Sequence, residues 1–528
     1  MSCTASPRGG PGRRLLLFCL ALAAAGCIIS RGVAVDPLSA SASDSVTVRS
    51  PVKAHLLDGS TVVFGAGVTV ARGGVHGTGM RYDLLLAEST AVDRIPLDSV
   101  LGMESYATRV DGGRTLLYSA LATAGTIGGA VALICAADPK CFGSCPTIYA
   151  DSAGTPVLEA EGFSGSIAPI LEARDVDRLR AREDSQGILR LEVWNEALET
   201  HYINHLELLA VEHAQEELVV PDERGRPLAV RDELTLASVV DRSGRSLAGT
   251  LARADGDVFS SDTARMRTTT ADDLLDHIDV VLAPPADADS VALVLRLRSS
   301  LLNTLIFYDH MLARPGARAL DWMTYDLGRL DRTAELARWY GDHFGIRISV
   351  RDDDGWRAVA KYADYGPIAW RDVAVVVPAV AGDSLRLRLS FLTDQWRIDR
   401  LAVAGGVRRP TSRVVAPATM TASNGNIQDD ALSAIATPDE HYLRTTPRQR
   451  FTVAFDVGRS RDARMERTYL LASQGYYTEW VRGAWIADAR DTTTFVPSVQ
   501  TLVRAMEEWR VQRDSMEQRF FRSRIPVF

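Results

Sequence analysis

The amino-acid sequence predicts an α+β protein, mostly β and divided into several domains. At 528 residues the chain is longer than a single hydrophobic core organises. Apolar runs of strand length recur along most of it, parted by turn pairs such as Asp58-Gly59, Gly73-Gly74 and Asp354-Gly355. An Asp-Gly pair between two such runs supplies the positive φ that a tight hairpin needs. Helical spacing of apolar residues is confined to a few stretches, chiefly 299–345 and 498–521.

In chain order, residues 47–110 read as a small antiparallel sheet or barrel, with apolar runs at 54–57, 61–64 and 68–71 and two more flanking Pro96. Residues 115–138 read as one apolar helix, uncharged over 116–137 and bracketed by Arg114 and Lys140. Ala120, Ala124 and Gly128 repeat at four residues, as do Gly125 and Gly129, a spacing that lets helix backbones approach closely in lipid. This stretch is expected either to enter a membrane or to be buried in a soluble core. Residues 139–298 form a β-rich central region, in which Leu189, Leu191 and Val193 alternate with Arg190, Glu192 and Trp194. Residues 299–345 hold two helices, the first ended by Pro315-Gly316 and the second carrying Leu336, Trp339, Tyr340 and Phe344. Short strands over 346–404 read as a β-sandwich. Residues 405–448, rich in Thr, Ser, Ala, Pro and Asn, read as a linker or long loop. Residues 449–528 read as strands followed by an amphipathic helix.

Composition excludes some functions. Hydrophobic residues make up 46% and charged residues 24%, which is ordinary for a folded protein. A net charge of −8 and no concentrated basic face argue against a nucleic-acid partner. Lys53, Lys140 and Lys361 are the only lysines, so nearly all positive charge is arginine.

The N-terminus has Arg8, Arg13 and Arg14, then an apolar run over 15–25 too short to span a bilayer, then Ala24-Ala25-Gly26-Cys27. Small residues before a cysteine fit a narrow peptidase cleft. The stretch resembles a bacterial lipoprotein signal, although Ala24 stands where leucine is usual and the basic region is long. That resemblance implies removal of residues 1–26, a diacylglycerol on Cys27, and an amide-linked fatty acid such as palmitate. Residues 27–46 then serve as a Ser/Ala-rich tether. The membrane is the partner so implied, and the cell envelope the location. Several acyl chains hold a protein stably where a single one does not.

Cys3 and Cys19 leave with the signal. Cys135, Cys141 and Cys145 remain, and outside the cytoplasm one disulfide among the three is expected, its pairing open. A zinc site would need a fourth ligand, and no histidine lies nearby. Cys145-Pro146-Thr147-Ile148-Tyr149 and the Leu171-Glu172-Ala173-Arg174-Asp175 segment, continuing to Trp194 and 205–211, resemble a group of uncharacterised exported bacterial proteins. That resemblance implies no activity.

Constellations that might carry chemistry are sparse. His201 and His205 have the i, i+4 spacing of a zinc pair, but Tyr202 stands where a general-base glutamate would be. The segment alternates like a strand, which would hold the two imidazoles about 13 Å apart as exposed side chains on a sheet face. Asp352-Asp353-Asp354-Gly355 lacks the spaced oxygens of a calcium loop and reads as a hairpin turn. Gly162-Phe163-Ser164-Gly165-Ser166 departs from the nucleophile elbow at its last position. Tyr476, Tyr477, Trp480 and Trp485 could stack on a sugar or hold a partner, or simply pack a core. Trp396-Arg397-Ile398-Asp399 loosely resembles the closing strand of carbohydrate-binding jelly rolls.

No set of residues specifies a catalytic site, a cofactor or a metal. The sequence therefore points to a non-catalytic envelope lipoprotein that binds a protein or glycan. Two other functions fit it: a glycan hydrolase whose paired carboxylates come from distant positions, and an assembly component embedded through 116–137.

Overall fold

A computed structural model describes residues 31–37, 45–49, 52–56, 61–64, 66–71, 73–82, 89–110, 145–152, 155–195, 199–283, 289–316, 318–327, 329–363, 368–379, 384–422, 425–445, 449–459, 464–479 and 493–522. Cys27, Cys135, Cys141, Trp480, Trp485 and the apolar stretch 116–137 lie outside the described residues. The described chain is mostly β, in several antiparallel sheets with few helices.

Eight strands between Arg31 and Val110 form the N-terminal sheet. Its core is made by alternate residues, Val52, Ala54 and Leu56 on one strand and Val62 and Phe64 on the next. Of the stretch expected as a tether, Arg31–Pro37 pairs along Val100–Val110. Extended backbone beside a sheet edge finds hydrogen-bond partners there that a free tether lacks.

The next β unit is two five-stranded sheets packed face to face. One runs in the order Thr155–Glu161, Thr147–Ser152, Ile188–Trp194, Arg450–Asp456, Thr419–Ala422. The other centres on two long strands, Glu199–Ala214 and Met465–Glu479, flanked by Ala173–Arg178 and Arg413–Val415. Leu189, Leu191 and Val193 from the first sheet meet Leu206, Leu208, Tyr469 and Leu471 from the second in one core. The strands on either side of 196–198 thus lie in opposite sheets. Residues 405–448 contribute three short strands and the helix Asp429–Ala434, so the stretch read as a linker is woven into this unit.

Between Ala214 and Arg413 the chain makes the sandwich. Its strands over 346–404 do not close on one another alone, since they take partners from 218–299. Leu275–Leu282 pairs with Leu385–Leu392, and Ser290–Ser299 pairs with both Arg371–Pro378 and Trp396–Arg408. Ser290–Ser299 is buried on both faces and reads as a nearly continuous apolar run, while Leu275–Leu282 and Leu385–Leu392 bury alternate residues; neither pattern gives a sign of partner or register. The Asp354-Gly355 turn closes the hairpin of Ile346–Asp352 with Gly355–Tyr362, with Gly355 at φ +123°.

The helical block follows Ser299. Leu301–Leu305 is α-helical, capped by the Ser300 hydroxyl, which accepts from Leu302 N–H at 3.2 Å. Residues Ile306–Ala313 then widen into a π-helix. Leu330–His343 and the C-terminal helix Val499–Arg522 pack against it through Leu336, Trp339, Leu502, Met506 and Trp509. Among the described residues no helix is long and apolar enough to cross a membrane.

Candidate functional site

The Thr155–Glu161 strand ends at the turn 162–166, the Gly-Phe-Ser-Gly-Ser segment. Gly162 passes so close to the long strand that a Cβ there would stand 2.8 Å from Ser473 Oγ. Two bonds pin the turn to that strand: Tyr477 N–H donates to Ser166 O at 2.9 Å, and Tyr477 Oη donates to Ser164 O at 3.0 Å. Ser164 Oγ donates to Cys145 Sγ at 3.2 Å, and no imidazole contacts it. No helix rises from the turn, so the geometry of a serine nucleophile is missing.

A pocket of about 110 Å³ lies beside this turn. Asn303, Thr304, Phe307 and Tyr308 line it from the first helix, and Leu336, Ala337 and Tyr340 line it from Leu330–His343. Tyr477 and Ile368 close it from the two β units. It opens to solvent beside Gly165 and Ala337, both exposed.

Glu161 is the one charged side chain among the residues lining this pocket, and it is 3% exposed. Its Oε2 accepts from the backbone N–H groups of Ile368 at 2.8 Å and Ala369 at 2.9 Å. Its Oε1 has no hydrogen-bond donor from the described residues. Behind the wall, Tyr308 Oη donates to the buried Glu479 at 2.9 Å. Glu479 pairs in register with Glu199 across the two long strands. Glu199 Oε1 in turn lies 2.6 Å from His201 Nε2 and accepts from Cys145 N–H at 2.6 Å.

The histidine pair is thereby placed. Both residues are on the Glu199–Ala214 strand, as its alternation predicts. His201, however, is fully buried rather than exposed, because Glu199 supplies its polar partner inside the core. The register shifts between Ile203 and His205. Ile203 and Leu206 consequently face the same core, and His205 points to the other face beside Glu207 at 3.3 Å. The two rings do not converge on one ion.

The aromatic candidates separate likewise. Tyr476 is stacked on Tyr202 at 4.5 Å and 8°, with Tyr442 edge-on at 5.5 Å, and is 1% exposed. It is core packing rather than an open platform. Its neighbour Tyr477, on the opposite face, lines the pocket. The disulfide expectation reaches the described residues only at Cys145, which is buried.

On the other side of the 162–166 turn lies a polar cleft of about 340 Å³. Arg371 forms its floor, bonded to Asp175 and, at 2.6 Å, to Asp177. Burial raises the Asp177 carboxyl, Arg371 draws it down and Asp175 raises it again, to a net value of about 7. Asp372, also lining the cleft, pairs with Arg178 at 3.1 Å and Arg296 at 3.2 Å.

A third cluster lies in the helical block. Ligand-type atoms of Asp309, His310 and Glu508 fall within 4.8 Å of one another. Arg314 donates to Asp309 at 2.9 Å and to Glu508, and His310 Nε2 is 3.2 Å from Glu508. Burial acts to raise Glu508, but His310 and Arg314 outweigh it and bring the carboxyl to about 2. The guanidinium already takes the place a cation would fill. The cluster fastens the π-helix to the C-terminal helix.

Sequence reasoning did not single out Glu161. Simple alternation misplaces it: a register shift between Leu158 and Ala160 turns Ala160 into the core with Ile148 and Ala150, and leaves Glu161, paired with Thr147, on the opposite face.

No protein-family model matches this chain, and no curated protein matches it. Among solved structures, a GH31 alpha-xylosidase from Xanthomonas citri is similar over 82% of this chain and 38% of its own, with 10% identity and a TM-score of 0.15. The chain spans under half the length of that enzyme.

Proposed function

We propose that this protein is a lipid-anchored cell-envelope protein whose folded body binds a small group in the Glu161 pocket without transforming it. Cys27 carries the anchor in this reading, and the group belongs to an envelope component, free or displayed on a protein or glycan. One observation carries the proposal. Glu161 is the one charged side chain in a wall of apolar, aromatic and small polar residues, with one oxygen fixed by two backbone amides and the other without a donor from the described residues. A few well-placed polar groups in a preformed apolar pocket are the signature of recognition.

A glycan hydrolase finds less support. Such enzymes set two carboxylates across the scissile bond, roughly 5–9.5 Å apart. The described pocket wall has one. Those on the floor of the neighbouring cleft are held by arginines. The test is a thermal-shift screen of the purified full-length protein against small amines, alcohols, acids and sugars, with product analysis of every hit. Hits that raise the melting temperature, lose their effect in Ala337→Trp and are recovered unchanged support binding. Chemical conversion of a hit, abolished in Glu161→Gln, would overturn it in favour of an enzyme.

A further inference from the structure

We infer that the group recognised is a primary alkylammonium of about four carbons, either a free amine or the end of a lysine side chain. This rests on the binding reading above and names its ligand.

Charge complementarity gives the cationic half. The pocket wall holds a carboxylate oxygen without a protein donor and, among its described residues, no arginine, lysine or histidine. Arginines pair with the acids of the neighbouring cleft, whereas among the described residues Glu161 is bonded by backbone amides and by no arginine, lysine or histidine. A buried carboxylate with an open coordination position gains most from a cation that brings its own N–H donors. The aromatic rings of Phe307, Tyr308, Tyr340 and Tyr477 line the same space, and ring faces attract an ammonium.

Size and surface give the alkyl half. An apolar cavity of roughly 150 Å³ holds benzene, so about 110 Å³ accommodates about five heavy atoms. Ile167, Leu171, Phe307, Leu336 and Ile368 offer hydrocarbon walls to the stem, and they desolvate the ion pair at its end. Four methylenes and a nitrogen match that volume. A guanidinium on its stem exceeds it, and a carboxylate would meet Glu161 with like charge.

The test is calorimetric titration of the full-length protein with 1-aminobutane, 1-butanol and butanoate at pH 7. The expected result is 1:1 binding of the amine, at least tenfold tighter than the alcohol, and no binding of butanoate. Glu161→Gln should weaken the amine at least tenfold and leave the alcohol unchanged. Ala337→Trp, at an exposed position on the rim, should block both. Should Glu161→Gln fail to fold, the amine-to-alcohol ratio in the wild type decides alone. Equal affinity for amine and alcohol, both blocked by Ala337→Trp, overturns the ammonium inference and leaves the pocket as a binding site. Binding of none of the three overturns both. Nα-acetyl-lysine methylamide distinguishes the sources: binding as tight as the amine assigns a lysine side chain, and amine binding alone assigns a free amine.

Discussion

Trp509 donates its indole N–H to Asp394 at 2.7 Å, across the contact between the C-terminal helix and the sandwich. Asp394 is wholly buried and sits in the turn before the Trp396–Arg408 strand. It also accepts from Arg397 at 2.9 Å, Arg513 at 2.9 Å and Ser261 N–H at 3.1 Å. One carboxylate thus answers two guanidinium groups, an indole and an amide.

Removing it takes the shared acceptor from Arg513 and Trp509 and leaves buried Arg397 with Glu517, at 3.0 Å, as its remaining carboxylate. Asp394→Ala is expected to cost about 3 kcal/mol, the lower end for breaking a buried ion pair, because Glu517 still compensates part of the charge. Trp509→Phe keeps the ring packing, loses one bond to a charge and should cost about 1.5–3 kcal/mol. Urea unfolding midpoints check both. An Asp394→Ala protein as stable as the parent would refute the assignment.

Much of this architecture was legible and much was not. The strand at Ile188–Trp194 was visible in the alternation of Leu189, Leu191 and Val193, because one face is buried and the other is not. Its partner was not visible: Leu191 pairs with Val453, and two-residue periodicity carries no address. The sandwich strands were readable as strands, yet their pairing with 218–299 was hidden for the same reason. The helix over Val499–Arg522 was clear from Leu502, Met506 and Trp509. The π-helical turn at Ile306–Ala313 was not, since its polar side chains are answered from far along the chain, Tyr308 by Glu479 and His310 by Glu508. Glu161 was hidden because its two donors, Ile368 and Ala369, are distant in sequence.

Stability should depend on pH through Asp177. Burial pushes its folded carboxyl up to about 7 from an ordinary 3.8, so the folded state holds the proton more tightly. The stabilisation is complete below about pH 4 and is lost as pH rises through 7. Asp177→Asn imitates the protonated acid and should not lose it. Between pH 5 and pH 8 the wild-type stability should fall relative to the variant, by at most about 3 kcal/mol. Parallel profiles would show that Arg371 neutralises Asp177 completely.

Tyr476 and Tyr477 should respond differently. Tyr476→Ala removes a stacked ring from a closed cluster and should cost about 3–5 kcal/mol. Tyr477→Phe gives up the bond to Ser164 O and should cost about 1 kcal/mol. Thermal melting orders the two, and equal losses would contradict the separation of their roles.

The anchor is tested by its chemistry. Mass spectrometry of the N-terminal peptide of the membrane-extracted protein should show acyl chains on Cys27, and Cys27→Ala should release the protein into buffer. An unacylated N-terminus in the native protein would remove the envelope tether from the account.

The pocket itself is tested most directly by crystals of the full-length protein grown with 1-aminobutane. Electron density for the ligand is expected between Glu161 Oε1 and the Tyr477 ring, with its nitrogen at hydrogen-bonding distance from that oxygen. Density at another place on the protein, or an empty pocket at a concentration that saturates binding in solution, would contradict the assignment.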